Sequence, residues 1–103
     1  MDRVTPERLK KYFAYTCDAL AEAKAAIDTT REKDALDFLD MASRYYSDAQ
    51  FFEKKGDLVT AFAALNYAHG WLDAGARIRL FLVTNSRLFT VDDDKEATHV
   101  TRR

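Results

Sequence analysis

Glycine and proline are scarce in this chain: three glycines and one proline in 103 residues. Folds that turn every few residues need both, which argues against an all-β architecture. The single cysteine, Cys17, cannot form an internal disulfide, which fits a reducing compartment such as the cytoplasm. No uncharged apolar run approaches the roughly 18 residues of a membrane span. The opening residues, MDRVTPERLKKYF, are charged and lack the apolar core of a secretion signal. An excess of either charge is missing too. The 16 basic and 17 acidic residues leave a formal charge of -1, so nothing draws the whole chain toward nucleic acid or anionic lipid. Repeats and low-complexity segments are absent. The two histidines, His69 and His99, lie far apart, and no His/Cys/Asp group has zinc-ligand spacing. No metal and no cofactor is therefore expected.

What remains is helix. Hydrophobic residues make up 48% of the chain, enough to build a core at this length without disulfides or metals. Thr5-Pro6-Glu7 is a helix start: a capping hydroxyl, a proline suited to the first turn, and an acid that complements the dipole. From there Leu9, Phe13, Thr16, Leu20, Ala23 and Ile27 recur at alternating spacings of four and three, a packing seam that predicts a first helix from Pro6 to about Asp28. Cys17 lies beside this seam and reads as a small buried residue. Thr29 followed by Glu32 matches a capping box for a second helix, from about Thr30 to Lys55. Its inner face collects Leu36, Leu39, Ala42, Tyr46, Ala49 and Phe52. Lys54, Lys55 and Gly56 end it, and Asp57 caps the next helix.

The stretch from Gly56 to Val83 predicts one long third helix, the spine of a bundle. Placed at a hundred degrees per residue, Leu58, Phe62, Leu65, His69, Leu72, Ala76, Leu80 and Val83 form one apolar line. Ala61, Ala64, Ala68, Gly75 and Leu82 form a second line of mostly small residues. Tyr67, Ala63, Ala74, Ile78 and Phe81 carry apolar surface onto the far side, more than two neighbouring helices readily cover. A narrow polar sector holds Asn66, Gly70, Asp73, Arg77 and Thr84, with His69 at its edge. Arg87 to Val91 is expected to pack back on the bundle as a short extended segment. The reading is an all-α fold: an antiparallel up-and-down bundle of three main helices with a short C-terminal tail. Residues 1–91 form one domain, and 92–103 a disordered charged tail.

Part of the chain resembles a known family. The run Tyr46-x-Asp48-Ala49-x-x-Phe52, then Gly56-Asp57, then Ala61-x-x-Ala64-Leu65-x-Tyr67-Ala68-His69-Gly70-Trp71-Leu72-Asp73-Ala74 is similar to the archaeal domain-of-unknown-function family numbered 357. The resemblance implies a small up-and-down helical bundle from the archaeal cytoplasm. It implies no activity.

One group of side chains is a candidate for chemistry: Asn66, His69, Asp73 and Arg77, each three or four residues from the next on one helix. A carboxylate one turn from a histidine orients it and raises its basicity, and Arg77 would hold a phosphate. The structural alternative takes precedence: His69 satisfied at the edge of the core and Asp73 paired with Arg77. No residue is assigned a catalytic role, and the chain is read as more a binding module than an enzyme. Three functions stay open. The first is a helical interaction or self-association module, acting as a homo-oligomer or on a protein partner through the surplus apolar face of helix three. The second is an accessory domain for a small molecule or nucleotide, using the polar sector with Tyr46, Asp48, Trp71 or Lys54. The third is a minimal enzyme built on His69 and Asp73.

Overall fold

The computed structural model describes residues 3–91, and helices account for most of them. α1 spans Pro6–Ala25, α2 spans Glu32–Lys54 and α3 spans Leu58–Arg77, with a 3₁₀ turn at Thr29–Arg31. The fold is all-α. Among the described residues the only β pairing is an isolated antiparallel bridge between Ile27 and Phe81. The proposed tail, 92–103, lies outside the described residues.

The start of α1 follows the expected chemistry. Pro6 opens the helix, and the Thr5 hydroxyl accepts from the Arg8 amide at 3.2 Å. The end comes at Ala25, three residues before the expected Asp28. The expected capping box at Thr29 and Glu32 does not form. Asp28 Oδ1 accepts from both the Thr30 amide, at 3.0 Å, and the Thr30 hydroxyl, at 2.7 Å. These bonds hold the Asp28 carboxyl below its usual range. Asp28 thus captures the local amide first, and the chain makes a 3₁₀ turn before α2 begins at Glu32 without a side-chain cap. The second connection is as the sequence indicates. Gly56 takes the left-handed conformation at φ 80°, and Asp57 caps α3 by accepting from the Thr60 amide at 3.1 Å.

The helices pack through small residues. Of the ten hydrophobic side chains at 0% exposure, seven are alanines, from Ala19 in α1 to Ala68 in α3. Alanine contacts allow close backbone approach, so larger side chains fill the ends of the bundle. Leu9 of α1, Ala49 of α2, and Ala61, Ala64 and Leu65 of α3 form one core cluster. The aromatics Tyr12, Phe13, Tyr46, Phe52 and Phe62 pack around it. The other cluster gathers Ala19, Ala23, Ala35, Leu39, Leu72 and Ala76 with Leu80, Phe81, Leu88 and Phe89 from beyond α3. The inner face of α2 is rotated slightly from the expected one: Ala35 is buried, and Leu36 stays 49% exposed. Cys17 is exposed rather than buried, because Thr16 and Ala19 take the inward positions of that turn.

The largest departure is the end of α3. The apolar period continues to Val83, yet the helix stops at Arg77. Arg79 adopts the left-handed conformation at φ 65°. Its amide bonds to the Ala76 carbonyl at 3.1 Å, and the Leu80 amide reaches back to the Gly75 carbonyl at 2.8 Å. This is a Schellman closure, with arginine where glycine usually stands. The chain then reverses and pairs with the α1–α2 connection. Asp28 N donates to Leu80 O at 2.9 Å, and Leu82 N donates to Ala26 O at 2.7 Å. Arg31 Nη1 adds a bond to the Ile78 carbonyl at 2.8 Å. Leu80 and Phe81 become fully buried, whereas on a continued helix Phe81 belonged to the far, exposed side. Leu82, expected on the small-residue line, is 47% exposed. Leu88 and Phe89 do pack back, but through turns rather than an extended segment.

Gly75 makes the reversal possible. A Cβ at this position would lie 2.6 Å from Phe81 Cδ2 and closer still to Cε2. Gly75→Ala should therefore destabilise the fold by about 1–3 kcal/mol through overpacking, against the helix preference of alanine. Arg79→Gly should do the opposite, adding about 0.5–1 kcal/mol by relieving a left-handed non-glycine residue. Urea unfolding of the two variants checks both signs. A destabilised Arg79→Gly would contradict the chain reversal at this residue.

Candidate functional site

The outer half of α3 divides into two flanks and a ridge. Helical spacing sets Asn66 and Gly70 on the ridge, His69 and Asp73 toward α1, and Tyr67, Trp71 and Ala74 toward α2. Both flanks are concave. The α1 side is a hollow of about 210 Å³, lined by Tyr12, Tyr15, Thr16, Asn66, His69, Gly70 and Asp73. The α2 side is a groove of about 340 Å³, lined by Phe38, Asn66, Tyr67, Gly70, Trp71 and Ala74. Asn66 and Gly70 belong to both.

His69 is held from three directions. Its Nε2 lies 2.6 Å from the Leu88 carbonyl, and its Nδ1 lies 3.2 Å from the Thr16 hydroxyl. The carbonyl can only accept, so Nε2 carries the proton. In the neutral ring Nδ1 then accepts from Thr16. Tyr15 stacks flat on the imidazole, 4.4 Å between ring centres and 2° from parallel. With both nitrogens engaged, the ring offers no free lone pair to a substrate or a metal. Thr16 is itself only 1% exposed, and this contact satisfies a hydroxyl that would otherwise be buried unpaired.

Asp73 does not pair with His69 or with Arg77. Its Oδ1 accepts from the Thr90 amide at 2.8 Å. Two α3 side chains thus fasten the returning segment, at Leu88 and at Thr90. The nearby Asp73 charge and, above all, burial push the Tyr15 phenol upward from its ordinary value.

The structure brings Asn66, His69 and Asp73 together around one hollow. Arg77, at the exposed end of α3, lines neither concavity. Trp71 lines the other flank, with its ring edge-on to Phe38 at 5.0 Å. Tyr46 belongs to the far core cluster, edge-on to Phe13 at 5.6 Å. Burial raises the Tyr46 phenol, with the adjacent Cys17 contributing. Sequence reasoning did not bring Arg8, Lys11, Tyr12 and Tyr15 together: it weighs the two tyrosines as base-stacking candidates against core and rim residues, and takes Lys10-Lys11 as too short a basic run for nucleic acid. The four line a second cleft that shares its two tyrosines with the hollow. A signal was present: these four recur at helical spacing on one side of α1, away from the Leu9–Ile27 seam.

Among the described residues no three His, Cys, Asp or Glu side chains cluster as a metal site. No described helix is long and apolar enough to cross a membrane. Fold and site together define a small all-α bundle with surface concavities on both sides of its third helix. The chain belongs to the family described as protein of unknown function (DUF357), which it matches over residues 11–81. Comparison with curated proteins and with solved structures gives no match.

If His69 is a fastener, His69→Ala strands the Leu88 carbonyl and the buried Thr16 hydroxyl. The expected cost is about 2–3 kcal/mol, with faster hydrogen exchange at the amides of residues 88–90. Unchanged exchange in that segment would show that the segment is held by other contacts.

Proposed function

We propose that this protein is a helical interaction module that associates with a second copy of itself through the outer face of α3. One observation carries the reading. Gly70 sits mid-helix and exposed, and a Cβ there would meet nothing within 4 Å. Glycine at such a position costs about 1 kcal/mol relative to alanine, and no contact among the described residues requires it. Close approach of another backbone does require it.

The surroundings support the same reading. Val59, Ala63, Tyr67, Gly70, Ala74 and Ile78 follow one another on the exposed face at spacings of three and four. Val59 is 68% exposed, Tyr67 62% and Ile78 49%. Tyr67 is already ordered by stacking on Tyr45 at 5.2 Å, so presenting it costs little further entropy. The bare backbone at Gly70 and the groove beside Trp71 form a hole, and Tyr67 is a knob. A twofold axis near Tyr67 lays each knob beside the hole of the other copy. Arg77 lies at one end of this stripe. Parallel helices would set Arg77 against its equivalent, so an antiparallel pair is favoured. A reducing, cytoplasmic setting belongs to this reading, since the one thiol, Cys17, is exposed.

Light scattering across a concentration series should give a dimer, and Gly70→Leu separates the alternatives. Leucine improves the isolated helix by about 0.5–1 kcal/mol, so the monomer should become more stable while self-association weakens at least about tenfold. A monomer at all concentrations, or equal association in the variant, would refute the proposal.

A further inference from the structure

The α1 side of the ridge is a different surface, and it does not depend on self-association. Arg8, Lys11, Tyr12 and Tyr15 fall within an arc of roughly 100° on α1 and line one cleft. Neither cation forms an ion pair with an acid among the described residues; the one described salt bridge joins Arg44 and Asp40. The two tyrosines are fixed by their neighbours. Tyr12 stands edge-on to Phe62 at 4.7 Å and to Tyr15 at 6.2 Å, and Tyr15 is stacked on His69. Both rings also line the hollow that holds Asn66 and Asp73. One oxygen of Asp73 is engaged by the Thr90 amide, while the other, and the Asn66 amide, take part in no hydrogen bond among the described residues.

Cleft and hollow therefore form one continuous feature with an ordered sequence of chemistry. Two unpaired cations lie at one end, two pre-oriented aromatic rings in the middle, and a carboxylate with a side-chain amide at the other. An inorganic anion would use only the first part. An apolar molecule would leave both ends unsatisfied. A planar nitrogen heterocycle bearing N–H groups on one edge and a phosphate on the other side uses all three. Arg8 and Lys11 would take the phosphate, the tyrosines flank the ring, and Asp73 and Asn66 accept from and donate to its edge. We propose that this feature binds a nucleoside phosphate as a free small molecule. The nearly neutral chain and the four-residue span of its cations give little purchase for a long phosphate backbone.

The test is an NMR titration of the full chain with AMP, adenosine, inorganic phosphate and a short single-stranded oligoadenylate. AMP is expected to shift the amides of residues 8–16 and 66–73, and to bind at least about tenfold more tightly than adenosine or phosphate. Arg8→Ala with Lys11→Ala should remove that advantage, leave adenosine binding unchanged, and leave the fold intact because both residues are exposed. Asp73→Asn should weaken adenosine and AMP alike. No shifts at about 10 mM AMP, phosphate binding as tightly as AMP, or a double variant that binds AMP like the parent would each overturn the proposal. Oligoadenylate binding more than about tenfold tighter than AMP would overturn the assignment to a free nucleotide.

Discussion

The contact between Gly75 and Phe81 governs the lower half of this molecule. An aromatic ring lies against bare helix backbone, closer than any side chain at position 75 would permit. That contact is reached only because α3 stops at Arg77 and the chain turns through a left-handed Arg79. The strain of a non-glycine residue there is of the order of 1–2 kcal/mol. Burial of Leu80 and Phe81 to zero exposure offsets it, at about 1.5–3 kcal/mol for each large side chain. The reversal also satisfies the backbone of the α1–α2 connection through Leu80 and Ala26. The segment that closes the core is therefore the segment that would have extended the helix.

The same return explains the polar residues on the α1 flank. His69 and Asp73 present a pattern that suits acid–base chemistry, but each is drawn to the returning chain, at Leu88 and Thr90. Thr16 completes the arrangement from α1. These bonds fix the rims of the hollow, and Tyr15, stacked on His69, becomes a rigid side shared by hollow and cleft. A structural role for His69 and a binding role for its surroundings are thus compatible. The imidazole positions; Asn66 and one oxygen of Asp73, without hydrogen bonds among the described residues, are the groups the proposed ligand would use.

The two glycines of α3 illustrate how one residue type serves two purposes. Gly75 is buried and excluded from substitution by Phe81, while Gly70 is exposed and unconstrained by any described residue. Both interrupt a helix that would be stronger with alanine. The first is explained by packing inside the molecule. The second finds no such packing among the described residues, and the proposed self-association would supply one. Because Gly70 and Asn66 border both flanks, a helix docked over the ridge would also deepen the hollow on the α1 side.

Local chemistry was enough for the number of helices and for much of their inner faces. Thr5-Pro6, Gly56 and Asp57 act within a few residues of themselves, and period 3.6 identifies Leu9, Thr16 and Ala23, or Ala61, Leu65, Ala68 and Leu72, wherever the partner helix lies. It also gathered Asn66, His69 and Asp73, because one helix carries all three. Residues from another helix could not be assigned in the same way: helical spacing relates Tyr15 to Tyr12, but only docking relates it to His69. The end of α3 lay beyond reach for the same reason. The apolar positions Ala76, Leu80 and Val83 suit a continuing helix and a buried turn equally well, and arginine gives no local sign of a left-handed cap. What selects the turn is a vacancy in the core between α1, α2 and α3, and that vacancy exists only after the helices have come together.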